Sequence, residues 1–138
     1  MLANKLGAIT SRTTNSSRHF SKQLKTVRPW AETKILVAGC QGQIGVPLVK
    51  ALAKELGADR VIATDLDAQK FDFPCKFEQL DICDGEKYRK LVDDHKVDYI
   101  VHLAGILSAL GEKKPDLAID VNVFGAINAL RIAREKNC

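Results

Sequence analysis

Three glycines at three-residue spacing, Gly39, Gly42 and Gly45, interrupt an apolar run in the stretch ILVAGCQGQIGVPLV, residues 35–49. Inside a regular element each glycine costs roughly 0.5–1 kcal/mol relative to alanine. Such a cluster is explained only if main chain without side chains is needed there. Its flanks say what for. KILVA (34–38) is a short, nearly continuous apolar run that suits a buried parallel strand. Beyond the glycines, Ile44, Leu48, Leu52 and Leu56 recur every four residues, which predicts one face of a helix ended by Gly57. Pro47 falls in the first turn, where proline is tolerated. In a strand–turn–helix unit of this kind, Gly39 permits the tight turn and Gly42 lets a pyrophosphate approach the backbone. Gly45 lets the helix pack closely on the sheet. The start of the helix then offers N–H groups and a positive dipole end to phosphates.

The rest of the chain repeats the alternation. RVIATD (60–65) predicts a second strand, residues 68–74 a loop, and KFEQLD (76–81) a short third strand. Asp84 is placed to cap a helix reaching about His95, with Tyr88, Leu91 and Val92 inward. VDYIVHLA (97–104) predicts a fourth strand, GILSALGEKK (105–114) a loop, and residues 115–135 one long helix with Pro115 at its start. That helix is apolar on more than one face, which predicts contact with its own sheet and with a further partner. Strands alternating with helices give an α/β class: a Rossmann-type parallel sheet with helices on both faces, ending after the fourth strand and its following helix. Asp65 ends the second strand twenty residues after Gly45, where a carboxylate takes the adenosine ribose hydroxyls. It would repel a 2′-phosphate, and no arginine lies between Leu66 and Phe77 to receive one. The expected cofactor is therefore NAD.

Charge divides the chain in two. Residues 1–30 hold six basic and no acidic residues, and the remaining segment holds 15 basic and 17 acidic ones. The body thus lacks the basic face of a nucleic-acid-binding domain. The head is also rich in serine and threonine, the composition of a mitochondrial transit peptide, and RHFS (18–21) resembles a matrix-processing site. Two regions follow: a disordered transit peptide over 1–30, and the N-terminal part of an NAD-binding Rossmann domain over 31–138. Apolar runs are too short for a membrane span. The cysteines, Cys40, Cys75, Cys83 and Cys138, form no C-x-x-C pair and no zinc-type cluster, so no metal site is expected.

GCQGQIG, TDL, LDI, VHLAG and VNVFGAINAL follow one another in the order of the extended short-chain dehydrogenase/reductase family, the NAD-dependent epimerase/dehydratase type, which the chain resembles from Lys34 to Cys138. ILVAGCQGQIG, HLAGILSALGEKKPDLAIDVNVFG and the basic head look most like the L-threonine 3-dehydrogenases related to UDP-galactose 4-epimerase. The resemblance implies that Gly39, Gly42 and Gly45 hold the pyrophosphate, with loop amides from Gln43 and Ile44. It implies that Asp65 binds the ribose, that Asp81 and Ile82 flank the adenine, and that Leu103, Ala104 and Gly105 line the cofactor. Ser108 would lie near nicotinamide and substrate, and Asn122 matches the family's structural asparagine. Ala38 replaces the usual threonine before the first glycine, and HLAG replaces HLAA. Asp81 also reads as a turn cap, Asn122 as a polar helix residue, and His102 as a packed strand end.

These enzymes use a Tyr-x-x-x-Lys pair, in which lysine lowers the tyrosine pKa and the tyrosinate moves the alcohol proton. Here Tyr88 is followed four residues on by Val92, and Tyr99 by Leu103. The 138 residues read as the front half of such an enzyme, inactive alone. The full-length expectation is NAD-dependent oxidation of L-threonine to 2-amino-3-ketobutyrate, by a homodimer in the mitochondrial matrix. The alternatives are a non-catalytic NAD-binding fragment or pseudoenzyme, or a sugar-nucleotide epimerase/dehydratase relative.

Overall fold

The computed structural model describes residues 29–138, so the transit-peptide reading of the head lies outside the described residues. A single 3-10 turn, Trp30–Glu32, leads into the sheet. Four parallel strands follow: β1 (Ile35–Ala38), β2 (Val61–Asp65), β3 (Lys76–Gln79) and β4 (Tyr99–His102), in the order β3-β2-β1-β4. Ile35 is in register with Val61 on one side and Tyr99 on the other. The start of β4 is pinned to β1 by Asp98, whose carboxylate accepts the Lys34 N–H at 3.0 Å while its own N–H reaches Lys34 O at 2.9 Å. The fold is the α/β Rossmann type that the alternation predicts.

Helices cover both faces. α1 (Gly45–Leu56) lies on one; α2 (Gly85–His95) lies on the other with the final helix, α5 (Ala126–Lys136). Alternate residues of β1 belong to different cores. Leu36 and Ala38 join Ile62, Tyr88, Leu91 and Ile132, whereas Ile35 and Val37 join Val49, Ala53, Val61 and Phe73. Central β1 is buried throughout, as its apolar run requires, while β3 and β4 at the edges are only partly covered.

The helix boundaries follow local chemistry. Asp84 Oδ1 accepts the Lys87 N–H at 3.0 Å, the expected N-cap, and Gly57 closes α1 with φ +100°. The buried stripe of α1 is nevertheless Gly45, Val49, Ala53 and Leu56. Of the predicted face, Ile44 is exposed and Leu48 and Leu52 only flank the core. Gly45 sets this rotation. A Cβ there would sit 2.4 Å from Gly39 O, so the helix meets the sheet along the row through Gly45.

Two further expectations need correction. Part of the predicted 105–114 loop is a short helix, α3 (Ser108–Lys113), in which Gly111 faces Ala118. The long helix is not uniform either. It comprises α4 (Pro115–Ile119), a wider π-helical stretch at Asp120–Gly125, and α5. Two contacts fix that stretch: the Asn122 side chain bonds residue 106, and Gly125 lies against Ile82, where a Cβ would come within 2.5 Å of Cδ1. Among the described residues no helix is long and apolar enough to cross a membrane.

Candidate functional site

The strand order reverses direction between β1 and β4, and in open α/β sheets ligands bind beyond the strand C-termini at such a switch point. A cleft of about 460 Å³ lies there, lined by Gly39, Gly42, Asp65, Asp81, Ile82, Leu103, Ala104 and Gly105 among others. All eight are residues singled out from the sequence as cofactor-binding. Gly45 lies beneath, buried against the loop, while exposed Gln43 and Ile44 sit where the loop enters α1, outside the lining.

The glycine loop is fixed from both sides. Gly39 N and Cys40 N both donate to Thr64 O, at 2.9 and 3.0 Å. Gly39 has φ +82°, and a Cβ on it would meet Ala104 N at 2.5 Å. The space above Gly42 is open, with only Gly39 O near, at 3.5 Å from a would-be Cβ. No side chain caps the start of α1. Main chain close to the ligand space and an uncapped helix start suit a pyrophosphate, since the first N–H groups of a helix lack intrahelical partners.

Asp65 stands at the carboxyl end of β2. Its Oδ2 accepts the Gln41 N–H at 2.9 Å and its Oδ1 accepts the Leu66 N–H at 2.9 Å. Both bonds orient the carboxylate at the lip of the cleft. Asp81 has two parts: it lines the cleft, and its Oδ1 caps a turn by accepting the Cys83 N–H at 2.9 Å. Ile82 is held by Asn128, whose Nδ2 donates to the carbonyls of Ile82 and Cys83 at 3.1 and 3.2 Å.

Beyond β4, Asn122 grips the main chain of Ile106. Its Oδ1 accepts the N–H at 2.7 Å and its Nδ2 donates to the carbonyl at 2.9 Å. Asn122 thus shapes the wall formed by Gly105 and Ile106 and is not itself in the lining; Ser108 is exposed at the start of α3 and also outside it. Leu110, Leu117 and Val121 complete that wall and were not anticipated. The periodicity of residues 115–135 carried a signal for the last two, whereas Leu110 was hidden in a segment read as loop.

Burial shifts two groups near the site. Burial, then the Asp65 charge, pushes the Cys40 thiol up to about 12, so it stays protonated. Burial lowers the His102 pKa, and its Nδ1 is enclosed without a hydrogen-bond partner among the described residues. Burial raises the Tyr88 pKa, and Tyr99 sits at the opposite end of β4 from the cleft. Neither tyrosine is placed as a proton acceptor. Among the described residues no group of three or more His, Cys, Asp or Glu side chains is arranged to hold a metal.

Comparison with known proteins agrees with this geometry. An uncharacterised epimerase/dehydratase of Staphylococcus aureus is 42% identical over 107 residues, covering 75% of this chain and 33% of that protein. The L-threonine dehydrogenase structure from Clostridium difficile superposes with a TM-score of 0.73 at 38% identity, over 77% of this chain and 34% of that one. A monomeric L-threonine 3-dehydrogenase from a metagenome gives 0.71 at 47% identity, over 75% and 33%. The chain therefore spans about a third of the length of these relatives. Residues 35–138 match the model of the NAD dependent epimerase/dehydratase family, and the chain belongs to that family.

Proposed function

We propose that this chain is the cofactor-binding part of an NAD-dependent L-threonine 3-dehydrogenase, which oxidises L-threonine to 2-amino-3-ketobutyrate. The observation that carries the cofactor is the cradle itself: Gly39 and Gly45, where a Cβ would collide with main chain, beneath an oriented Asp65. NAD supplies the hydride acceptor. Gly42 and the start of α1 bind the pyrophosphate, Asp65 the adenosine ribose, and Asp81 and Ile82 bracket the adenine. Leu103 to Gly105, steadied by Asn122, carry the cofactor toward the substrate side. Support for threonine comes from the solved L-threonine dehydrogenases at 38 and 47% identity. Residues 1–30 act as a mitochondrial address, and the complete enzyme works in the matrix as a homodimer.

The test is NADH formation from L-threonine by protein made from the complete gene, with UDP-galactose epimerisation assayed beside it. Threonine-dependent NADH supports the proposal; epimerisation without it assigns the chain to the sugar-nucleotide branch. The 138 residues alone are expected to bind NAD and produce no NADH. Among the described residues no proton acceptor is placed at the cleft, and such a group is worth about 10²–10⁴-fold in rate by itself. Turnover by them above a heat-killed control would overturn that expectation. A reporter fused to residues 1–30 that stayed in the cytosol would remove the mitochondrial assignment.

A further inference from the structure

Gln41 occupies a position that the glycine spacing leaves open, yet it makes more bonds across the site than any glycine. Its main-chain N–H donates to Asp65 Oδ2 at 2.9 Å. Its side-chain Nε2 donates to Ala68 O at 3.1 Å and to Asp67 O at 3.4 Å, and its Oε1 accepts the Lys70 N–H. The amide orientation follows from these partners, two carbonyls and one N–H. One residue thus grips both the ribose carboxylate and the segment that follows it.

That segment forms one wall of the cleft through Leu66, Asp67, Lys70 and Phe71. It is exposed and has no regular structure. At its start Leu66 O accepts from Gln79 Nε2 of β3 at 2.7 Å; at residues 67–71 the remaining side-chain bonds are internal, Lys70 to Asp67 and Gln69 Nε2 to Phe71 O at 2.8 Å. Among the described residues the Gln41 side chain therefore supplies the hydrogen-bonded tie from this wall to the glycine loop. Among the described residues Lys70 is the cation that lines the cleft, and it is folded onto Asp67. An exposed pair of this kind is weak, so the lysine could turn to a phosphate if the wall could move.

Resting on the NAD reading above, we infer that Gln41 is a positioning residue that sets affinity and specificity at the adenosine end. It holds the 67–70 wall against a ribose with a free 2′-hydroxyl, leaving Asp65 and Asp67 facing any 2′-phosphate. Preordering the wall also removes an ordering cost from binding.

The test is calorimetric titration of the 138-residue chain and its Gln41→Met variant with NAD and with NADP. Methionine keeps the length and the main-chain bond to Asp65 and deletes the three side-chain bonds. NAD binding is expected to weaken about tenfold, the size of one or two lost hydrogen bonds. NADP binding should change less, so the preference for NAD falls. Protection of the Lys70 amide from hydrogen exchange should fall in the variant, with the thermal midpoint unchanged. A variant that binds both nucleotides as the wild type does, or loses both in equal proportion, overturns the inference alone. A wild-type chain that binds neither nucleotide overturns the NAD reading and this inference with it.

Discussion

At the scale of single residues, the site depends on places where a side chain cannot be. Gly45→Ala would put a Cβ 2.4 Å from Gly39 O and 2.6 Å from the Cys40 carbonyl, both main chain that cannot swing aside. The expected loss is about 2–4 kcal/mol, in the range of overpacked cores, read as a fall in the denaturant midpoint. Gly42→Ala meets nothing closer than 3.5 Å and should leave the midpoint nearly unchanged. Cys40 gives a second prediction. Its folded pKa is about 12 against an ordinary 9.0, so in the fold it holds its proton where the unfolded chain releases it. Stability should therefore be intact below about pH 9 and decline as pH rises toward 12. Burial of Tyr88 adds to the decline above pH 10. An alkaline unfolding series should show this, and Cys40→Ala should flatten part of it. The glycines and Asp65 were legible because each has a requirement written into its spacing. Gln41 was not, since nothing local distinguishes a glutamine that reaches 29 residues ahead to Lys70 from one facing water.

At the scale of elements, polar ties join α2, α5 and the turn before α2, and they differ in worth. Arg89 bridges Glu135 and Glu86 at 2.9 Å each, but Glu86 is almost wholly exposed. Asn128 serves two carbonyls in the half-buried turn at Ile82 and Cys83. Arg89→Ala should cost under about 1 kcal/mol, and Asn128→Ala about 1–3 kcal/mol, by denaturant unfolding. Equal losses would count against this ordering. Elements with clean periodicity, such as α2 with Asp84 at its cap, were legible in type and extent. The rotation of α1 was not, because Leu48 and Leu52 offered a more apolar face than Val49 and Ala53. The close contact at Gly45 decided between them. The π-helical stretch was hidden for a similar reason: its cause lies in Ile106 and Ile82, distant in sequence.

At the scale of the whole molecule, the last helical run carries a row of exposed apolar side chains. Ile119, Val123, Phe124 and Leu130 are 51, 47, 54 and 72% exposed along the last helical run. Val121 in the same run packs on the core. Exposed apolar patches favour association. Light scattering of the 138-residue chain should show mass rising with concentration, and Phe124→Glu with Leu130→Glu should abolish the rise. A single monomer mass at high concentration would contradict this. Exposure of Phe124 was legible from a helix apolar on several faces; which apolar residues turned inward was not, because the π-helical stretch changes the rotation midway.

The two cores meet back to back across β1, and this safeguards the aim of the glycine loop. Leu36 and Ala38 serve one layer, Ile35 and Val37 the other, and Gly39 comes next. Deleting any one of these four would barely alter composition, yet it would swap the layers' claims on the strand and turn Gly39 away from Ala104. Parity in four residues thus acts as a proofreader. A chain that has collapsed correctly on both sides has already aimed its glycines.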